Sequence, residues 1–466
     1  MRKKDRGGVS GAARRYDGGR DIRRSKKNQS PHKLNRKSWY RRWFVILIAA
    51  ILLIAVAAGS VLALKLRGSG SAKAASSTDA AVHAKTSVNT KVPSSVEQVV
   101  ASMPLEQKVG QMIMAGFDGK TTDSLSGLIK DDHIGGIIIG TANIDSQTQV
   151  AQMDASFQQL AAQAGAPAKL MIATDQEGGK TRRFMDIGPN YSEPFIGEMR
   201  GGAGQDAARE MSFLAARQLR QIGINTDLAP VADVSAGWGT LMDTRSYGND
   251  PEVASLLTGA AVTGFNDATT ISCVKHFPGL GSADGDPESG SATVSSSKST
   301  LDSTDLPPFK EAIKDGAPMI MVTHVIVPAL DPTKTPASLS RPIITDLLRN
   351  QMGFQGVVIT DDLEMGAITR SPGDAAVAAV SAGADIVMFA HTPAKADEAY
   401  KAIIAAVKSG KISEDSINQS VVRILEMKSR YRLESSGSDA GYGNTSTGSG
   451  VDSSAGSSTD QGTGTG

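Results

Sequence analysis

The chain has 466 residues, with 49 Lys/Arg against 48 Asp/Glu, a length that gives room for one large domain or two ordinary ones. Sixteen of the basic residues but only three of the acidic ones fall in residues 1–42, so the remainder of the chain is acidic. This distribution excludes a body that binds nucleic acid through a generally basic surface; only the tail has the clustered Lys/Arg that attract phosphates.

The segment that follows the basic tail predicts a membrane anchor. Residues 43–64, WFVILIAAILLIAVAAGSVLAL, contain no charge over 22 positions, which is enough for a helix to cross the hydrocarbon core. Arg41 and Arg42 precede the segment, so the positive-inside rule places residues 1–42 in the cytoplasm and the following domain outside it. A cleaved signal peptide is the alternative, but its charged and apolar regions would both be unusually long. This anchor makes the membrane, and not nucleic acid, the expected partner of the tail.

Two segments of low complexity bound the folded body. Residues 65–93 are rich in Ala, Ser, Thr and Lys and predict a flexible linker. Residues 434–466 are almost all Gly, Ser, Thr and Asp and predict a disordered tail. Cys273 is the single cysteine, so no internal disulfide can form and stability must come from a large core. No Cys/His spacing typical of zinc is present, and we expect neither a metal nor a cofactor.

Residues 94–433 carry eight apolar runs of strand length, which predict a parallel α/β fold. They are Gln111–Phe117, Gly135–Gly140, Lys169–Thr174, Asn225–Val231, Ile271–Val274, Met319–Thr323, Val357–Thr360 and Asp385–Phe389. Amphipathic stretches such as Asp206–Gln221 and Gly373–Ala382 lie between them, and a last helix is predicted to begin at Ser413 and Glu414. The count of eight favours a closed (β/α)8 TIM-like barrel. A doubly wound open sheet is the alternative.

Polar residues follow most of these runs. Asp175 follows the third, Lys275 and His276 the fifth, His324 the sixth and Asp361 the seventh. In a barrel the carboxyl ends of all strands meet at one rim, where active sites form. The sequence therefore predicts a catalytic cleft at that rim, in which Asp361 is the leading candidate. A helix-capping role is the alternative for such an acid.

The same residues carry a family resemblance. The segments DQEGGKTRRF, DTRSYGNDP, KHFPGLG, THVIVPALD, PASLS and GVVITDDLEM, in this order, resemble glycoside hydrolase family 3 and its single-barrel bacterial β-N-acetylglucosaminidases (β-hexosaminidases). The resemblance implies a barrel of the family's N-terminal type and a retaining mechanism with a covalent glycosyl-enzyme intermediate.

Residue by residue, the resemblance puts the nucleophile on Asp361, with Asp362 as a capping or orienting neighbour. It puts the sugar-binding positions on Asp175, Arg183, Arg245, Lys275 and His276. Carboxylates accept hydrogen bonds from sugar hydroxyls, and Arg or Lys can donate to sugar oxygens. Arg183 and Arg245 have a second interpretation, in which they only pair with acids such as Glu177 and brace the loops.

The loop after the fifth strand departs from the family pattern. In this branch an Asp-x-His pair supplies the proton, but the loop here reads SADGDPESG: Asp286 matches the Asp and Glu288 stands in place of the His. A second family His is replaced by Leu280. Three interpretations stay open: Glu288 is the acid, which is the usual glycosidase solution; Asp284 or Asp286 acts, or the loop stays open and the enzyme is slow; or hydrolysis is lost.

We therefore expect a membrane-anchored retaining glycoside hydrolase that removes terminal β-linked N-acetylglucosamine, or a related β-sugar, from cell-wall or other glycans. Within enzymes, β-glucosidase specificity is the runner-up, although only the predicted tail follows Leu433, where many β-glucosidases of the family carry a further sandwich domain. The alternative from another class is a catalytically silent glycan-binding surface protein.

Overall fold

The computed structural model describes residues 95–188, 191–199 and 202–434. The basic tail, the predicted transmembrane helix at residues 43–64, the linker and residues 435–466 lie outside these ranges. Within them, no helix combines the length and the hydropathy needed to cross a membrane.

Eight parallel strands close into a barrel. Its strands are β1 (Ile113–Ala115), β2 (Gly136–Ile138), β3 (Met171–Thr174), β6 (Thr226–Asp227), β7 (Ile271–Phe277), β8 (Met319–Val322), β9 (Val357–Asp362) and β10 (Ile386–Phe389). They neighbour one another in chain order, and β10 pairs with β1 to complete the circle. The predicted eight strands and the closed (β/α)8 fold are confirmed, and the open doubly wound sheet is excluded.

Two strand boundaries differ from the prediction in a way that affects the rim. β6 is a strand over two residues only, although backbone hydrogen bonds from β7 continue to the carbonyls of Ala229 and Pro230. β7, by contrast, continues through Lys275 and His276 to Phe277. Both polar residues are therefore held by strand geometry and not by a loop.

The helices form the outer layer. They are α1 (Ser95–Ser102), α2 (Leu105–Gln111), α3 (Ser126–Lys130), α4 (Gln147–Gln163), α5 (Glu193–Gly197), α6 (Gly202–Gln221), α7 (Pro251–Asp267), α8 (Lys298–Thr300), α9 (Pro307–Lys314), α10 (Pro372–Ala382), α11 (Pro393–Lys408) and α12 (Glu414–Arg430). Wider helical turns span Leu301–Asp305 and Pro342–Gln351, and single 3-10 turns span Asp123–Leu125, Thr141–Asn143 and Ala337–Leu339.

The last helix shows how sequence sets these bounds. The Ser413 side chain accepts the amide of Ser416 at the start of α12, which satisfies one of the free donors of the first turn. Ile417, Val421 and Ile424 repeat at helical spacing and are all buried. This amphipathic face packs α12 against the barrel, as predicted.

The strand that carries Asp361 enters the barrel through a tight contact. A Cβ on Gly356 would lie 2.5 Å from the carbonyl oxygen of Pro318 and 2.6 Å from the ring of Phe354, so only glycine fits there. Val357, Val358 and Ile359 then run fully buried between β8 and β10. Their burial fixes the register in which the following carboxylates reach the rim.

A small hairpin that the sequence analysis did not include lies after β3. Its strands are β4 (Gln176–Gly178) and β5 (Thr181–Arg182), which pair antiparallel. Gly178 and Gly179 both have positive φ, 103° and 55°, a conformation that costs glycine little. The turn places Glu177 and Arg183 next to the ends of the neighbouring barrel strands.

Candidate active site

The carboxyl ends of the barrel strands surround a cleft of about 800 Å³. All eight residues that the sequence analysis assigned to the site line it: Asp175, Arg183, Arg245, Lys275, His276, Asp286, Glu288 and Asp361. The side chains come from strands and loops far apart in the chain, and the barrel brings them together at one rim. The positions predicted for the site thus lie around one cleft, and their roles stay a prediction.

Asp361 lies at the floor of this cleft with one carboxylate oxygen free. It is the fifth residue of β9, and 8% of its surface is exposed. Its Oδ1 accepts the backbone amide of Asp362 at 3.0 Å. Within the described residues no Lys, Arg or His forms an ion pair with it. An unneutralised carboxylate with an open oxygen is suited to attack an electrophilic carbon.

Lys275 forms the centre of a buried ion network. Its Nζ lies 2.7 Å from Asp175 Oδ1 and 2.7 Å from Glu177 Oε1, and only 2% of the residue is exposed. Arg183 donates to the other oxygen of Asp175 at 2.9 Å. Arg245 donates to both oxygens of Glu177, at 2.9 and 2.6 Å. Two carboxylates and three cations thus alternate, so each carboxylate is held between two cations.

The network keeps its members charged. Burial alone would raise the pKa of Asp175, but the charges of Lys275 and Arg183 outweigh it and hold the pKa well below the ordinary 3.8. The same balance lowers the pKa of Glu177, where Lys275 and Arg245 oppose burial. Burial would lower the pKa of Lys275, yet the two carboxylates raise it. Rigid, charged acceptors and donors of this kind can bind several sugar hydroxyls in one orientation.

His276 is fixed by a partner that the sequence analysis missed. Its Nδ1 lies 2.6 Å from Asp233 Oδ2, and its Nε2 lies 3.3 Å from Arg245 Nη2. Arginine can only donate, so Nε2 accepts and the proton sits on Nδ1, which donates to Asp233. Asp233 follows the predicted fourth strand by two residues. The rule that polar residues after strands form the rim would have found it.

Arg183 and Arg245 do pair with acids, as the bracing interpretation expected, but they also line the cleft. Arg245 donates hydrogen bonds to Glu177, and Arg183 donates one to Asp175. Arg245 therefore braces the β4–β5 hairpin against the loop after β6. Bracing and a place on the cleft wall coexist in the same side chains.

The loop after β7 brings Glu288 to the cleft. Asp286 Oδ1 accepts the amide of Glu288 at 3.0 Å, and the carbonyl of Glu288 accepts the amide of Gly366 at 2.9 Å. Gly366 is close to the loop because a Cβ there would lie 2.7 Å from the backbone of Ser289. These contacts join the loop to the segment just after the Asp361 strand.

The three acids in this loop differ in how their carboxylates are used. The exposed carboxylate of Glu288 makes no hydrogen bond or ion pair within the described residues, and it lines the cleft together with Asp286. Asp286 uses its side chain to shape the turn around Glu288. Asp284 accepts the amide of Thr293 at 2.6 Å and does not line the cleft. A free carboxyl on a cleft wall is the arrangement that a proton donor needs.

Asp362 has a different environment from Asp361. Its Oδ1 accepts the amides of Glu364 and Ala390, both at 3.0 Å, and its Oδ2 lies 3.5 Å from Nε2 of the exposed His391. Burial raises its pKa to about 6. Asp362 thus anchors the loops after β9 and β10, consistent with the orienting role expected for it.

The other rim histidine of the sequence analysis, His324, is buried. It contacts Ser338 Oγ at 2.7 Å and the carbonyl of Asp362 at 2.8 Å, and burial lowers its pKa. It supports the β9 rim from below. Across the described ranges, no group of three or more His, Cys, Asp or Glu side chains is arranged to hold a metal ion.

Comparisons with known proteins fit this geometry. Residues 104–427 match the family described as "Glycosyl hydrolase family 3 N terminal domain". "Beta-hexosaminidase A" from Pseudoalteromonas piscicida is 33% identical over 331 residues, which cover 66% of this chain and 55% of that protein. "Beta-hexosaminidase LpqI" from Mycobacterium tuberculosis is 30% identical over 374 residues, covering 77% of this chain and 92% of that one.

Among solved structures, a glycoside hydrolase family 3 β-N-acetylglucosaminidase from Paenibacillus sp. str. FPU-7 matches with a TM-score of 0.68 and 39% identity. The match covers 74% of this chain and 65% of that one. This chain therefore spans only part of two of these relatives, including 55% of the length of the Pseudoalteromonas protein. The matched residues contain the whole barrel and every cleft residue described above, and the chain belongs to glycoside hydrolase family 3.

Proposed function

We propose that this protein is a retaining glycoside hydrolase that removes terminal β-linked N-acetylglucosamine, or a closely related β-sugar, from cell-wall or other glycans. The observation that carries the proposal is the Asp361 carboxylate, which has a free oxygen at the floor of the cleft and no neutralising cation. The sugar class follows from the matched relatives, which are named β-hexosaminidases and a β-N-acetylglucosaminidase.

The reaction would proceed in two steps. Asp361 attacks the anomeric carbon, the carbon forms a bond to the carboxylate oxygen, and the bond to the leaving oxygen breaks as Glu288 protonates that oxygen. Water then attacks the same carbon, gives its proton to the Glu288 carboxylate, and releases the sugar and a free Asp361. Asp175, Arg183, Arg245, Lys275 and His276 would hold the terminal sugar in place for both steps.

The assignment of Glu288 as proton donor rests on position. It is exposed, unpaired within the described residues and shares the cleft with Asp361, whereas Asp284 does not reach the cleft. Asp286 is its positioning residue, because the Asp286 side chain accepts the Glu288 amide. Many glycosidases place one carboxylic acid and one carboxylate at the reacting bond, and Glu288 with Asp361 would form such a pair.

The substrate proposal predicts a specific pattern of turnover. We expect the full-length protein to release nitrophenol from an aryl β-N-acetylglucosaminide faster than from the matching β-glucoside, and NMR to show the β-anomer as first product. Preference for the glucoside would establish β-glucosidase specificity instead. Turnover of neither substrate by a folded protein would contradict hydrolysis, since aryl leaving groups need little protonation, and would leave a silent glycan-binding protein.

We also propose that residues 43–64 anchor the protein in the plasma membrane as a single span, with the N-terminus in the cytoplasm and the catalytic domain outside. The support is the uncharged 22-residue stretch and the two arginines before it. We expect the intact chain to remain with membranes after a high-salt wash and to lose this association when residues 43–64 are deleted. Protease added to spheroplasts should digest the catalytic domain. A soluble mature chain that begins after residue 57 would show a cleaved signal peptide instead.

A further inference from the structure

Trp238 is the most exposed large apolar side chain in the described part of the chain, at 97%. It lies between Gly237 and Gly239, which have φ of 123° and 80°. A Cβ at either glycine would meet no heavy atom within 4 Å. An indole buries a large apolar area when it finds a partner, and Trp238 has almost all of its surface available for one.

The loop that carries Trp238 belongs to the wall of the cleft. The amide of Ala236 donates to the carbonyl of Gly281 at 3.1 Å, which ties the loop after β6 to the loop after β7. Leu241, three residues beyond Trp238, lines the cleft, and so does Leu280 from the neighbouring loop. Trp238 itself is outside the cleft lining, on the same loop as the lining residues Leu241 and Arg245.

The turn around Trp238 is held by its own hydrogen bonds. Ser235 and Thr240 bring their hydroxyls to 3.1 Å of one another, and Gly239 donates its amide to Asp243 at 2.8 Å. The indole is thus presented from a fixed turn. A backbone turn that is already ordered loses little conformational entropy on binding.

We propose that Trp238 is the stacking platform of a leaving-group subsite, which holds the second sugar unit of a β-linked glycan; this rests on the proposed hydrolase function. Glu288, on the loop after β7, must touch the glycosidic oxygen. The leaving sugar therefore lies against that loop and its neighbour, which carries Trp238. The apolar C–H face of a pyranose ring packs on an indole as other apolar surfaces do. A cleft of about 800 Å³ is large enough for more than one sugar unit.

Trp238 can report directly on this subsite. The sequence contains three tryptophans, and the other two, Trp39 and Trp43, precede the described residues. In full-length protein carrying Trp39→Phe and Trp43→Phe, Trp238 is the sole emitter, and Asp361→Asn prevents turnover. We expect β-1,4-linked N-acetylglucosamine disaccharide and tetrasaccharide to shift its emission to shorter wavelength, and the monosaccharide to leave it unchanged.

Kinetics give an independent readout. We expect Trp238→Ala to raise the ratio of KM for the disaccharide to KM for the methyl β-glycoside about tenfold, with Trp238→Phe restoring most of it. Phe195→Ala, at another exposed aromatic residue, is the matched control and should leave the ratio unchanged.

Three results would overturn the subsite. They are an emission that no oligosaccharide shifts, an equal rise in KM for both substrates, or a shift produced by phospholipid vesicles alone, which would make Trp238 a membrane contact. Failure of the hydrolase proposal is distinguishable, because wild-type protein would then turn over no substrate while the emission titration still reports binding.

Discussion

We expect Asp361→Asn to lower kcat/KM for an aryl β-N-acetylglucosaminide by about 10⁴-fold or more, which is the order of loss seen when a nucleophile is removed. The amide has the same shape as the carboxylate and can still accept the Asp362 amide, so the fold should be unaffected. The measurement compares kcat/KM of the purified variant and the wild type, and thermal unfolding of both proteins checks that the variant is folded. A loss below tenfold in a folded variant would exclude Asp361 as nucleophile.

Azide separates the nucleophile from the proton donor. In Asp361→Gly, azide can occupy the space of the missing carboxylate and displace the leaving group directly, which gives an α-glycosyl azide. In Glu288→Ala, Asp361 still forms the covalent intermediate and azide replaces water in the second step, which gives the β-glycosyl azide. Rescue with these two opposite configurations would establish both roles. Absence of rescue in Glu288→Ala, with aryl substrate turned over at the wild-type rate, would return the acid role to another group.

The fold could be predicted because the same pattern, an apolar run followed by an amphipathic stretch, recurs along the chain. Eight apolar runs separated by amphipathic stretches leave few architectures that bury every run. Their exact ends were less predictable, since they depend on which backbone groups pair across neighbouring strands: the fourth run was predicted to reach Val231, whereas β6 ends at Asp227. The extension of β7 to Phe277 matters most, because it places Lys275 and His276 within the strand and not after it.

The sequence predicted which residues belong to the site but not which side chains contact one another. Asp233 contacts His276 from 43 positions away, and Asp175 contacts Lys275 from 100 positions away. Such pairs follow from how the barrel closes and leave no local pattern. Glu177 was foreseen only as a brace for an arginine, whereas it contacts both Lys275 and Arg245. Its central place became visible only once both strand ends were in position.

Glu288 stands where the family pattern has a histidine, and sequence and structure describe this position in different ways. Sequence shows which residue stands at the position, and the structure adds that Asp286 accepts the Glu288 amide and that Gly366, after the Asp361 strand, donates to the Glu288 carbonyl. An acid held there with a free carboxylate is compatible with proton transfer. The azide experiment tests this assignment through the configuration of the product.

The ion network around Lys275 also contributes to the stability of the fold. We expect Lys275→Met to lower the free energy of unfolding at neutral pH by about 3 kcal/mol or more, because it leaves Asp175 and Glu177 buried with one cation fewer. Activity should fall as well, since both carboxylates line the cleft. Lys408→Met is the matched control: it removes the ion pair with Glu106 at 3.0 Å, where the side chains are 63% and 48% exposed, and should cost less than about 1 kcal/mol.

The pH dependence distinguishes lost charge pairing from lost packing. In the wild type, the folded pKa values of Asp175 and Glu177 lie below the ordinary 3.8 and 4.5, so their stabilisation is complete above these values and is lost as pH falls through the folded pKa. Lys275→Met removes most of this stabilisation, and its carboxyls protonate at higher pH than in the wild type. The difference in unfolding free energy should therefore be largest at neutral pH and shrink over the pH range in which the carboxyls of the variant are protonated and those of the wild type are not. A difference that stays constant down to the pH at which the wild type loses its own stabilisation would assign the loss to the missing packing of the lysine chain and would contradict a network held together by its charges.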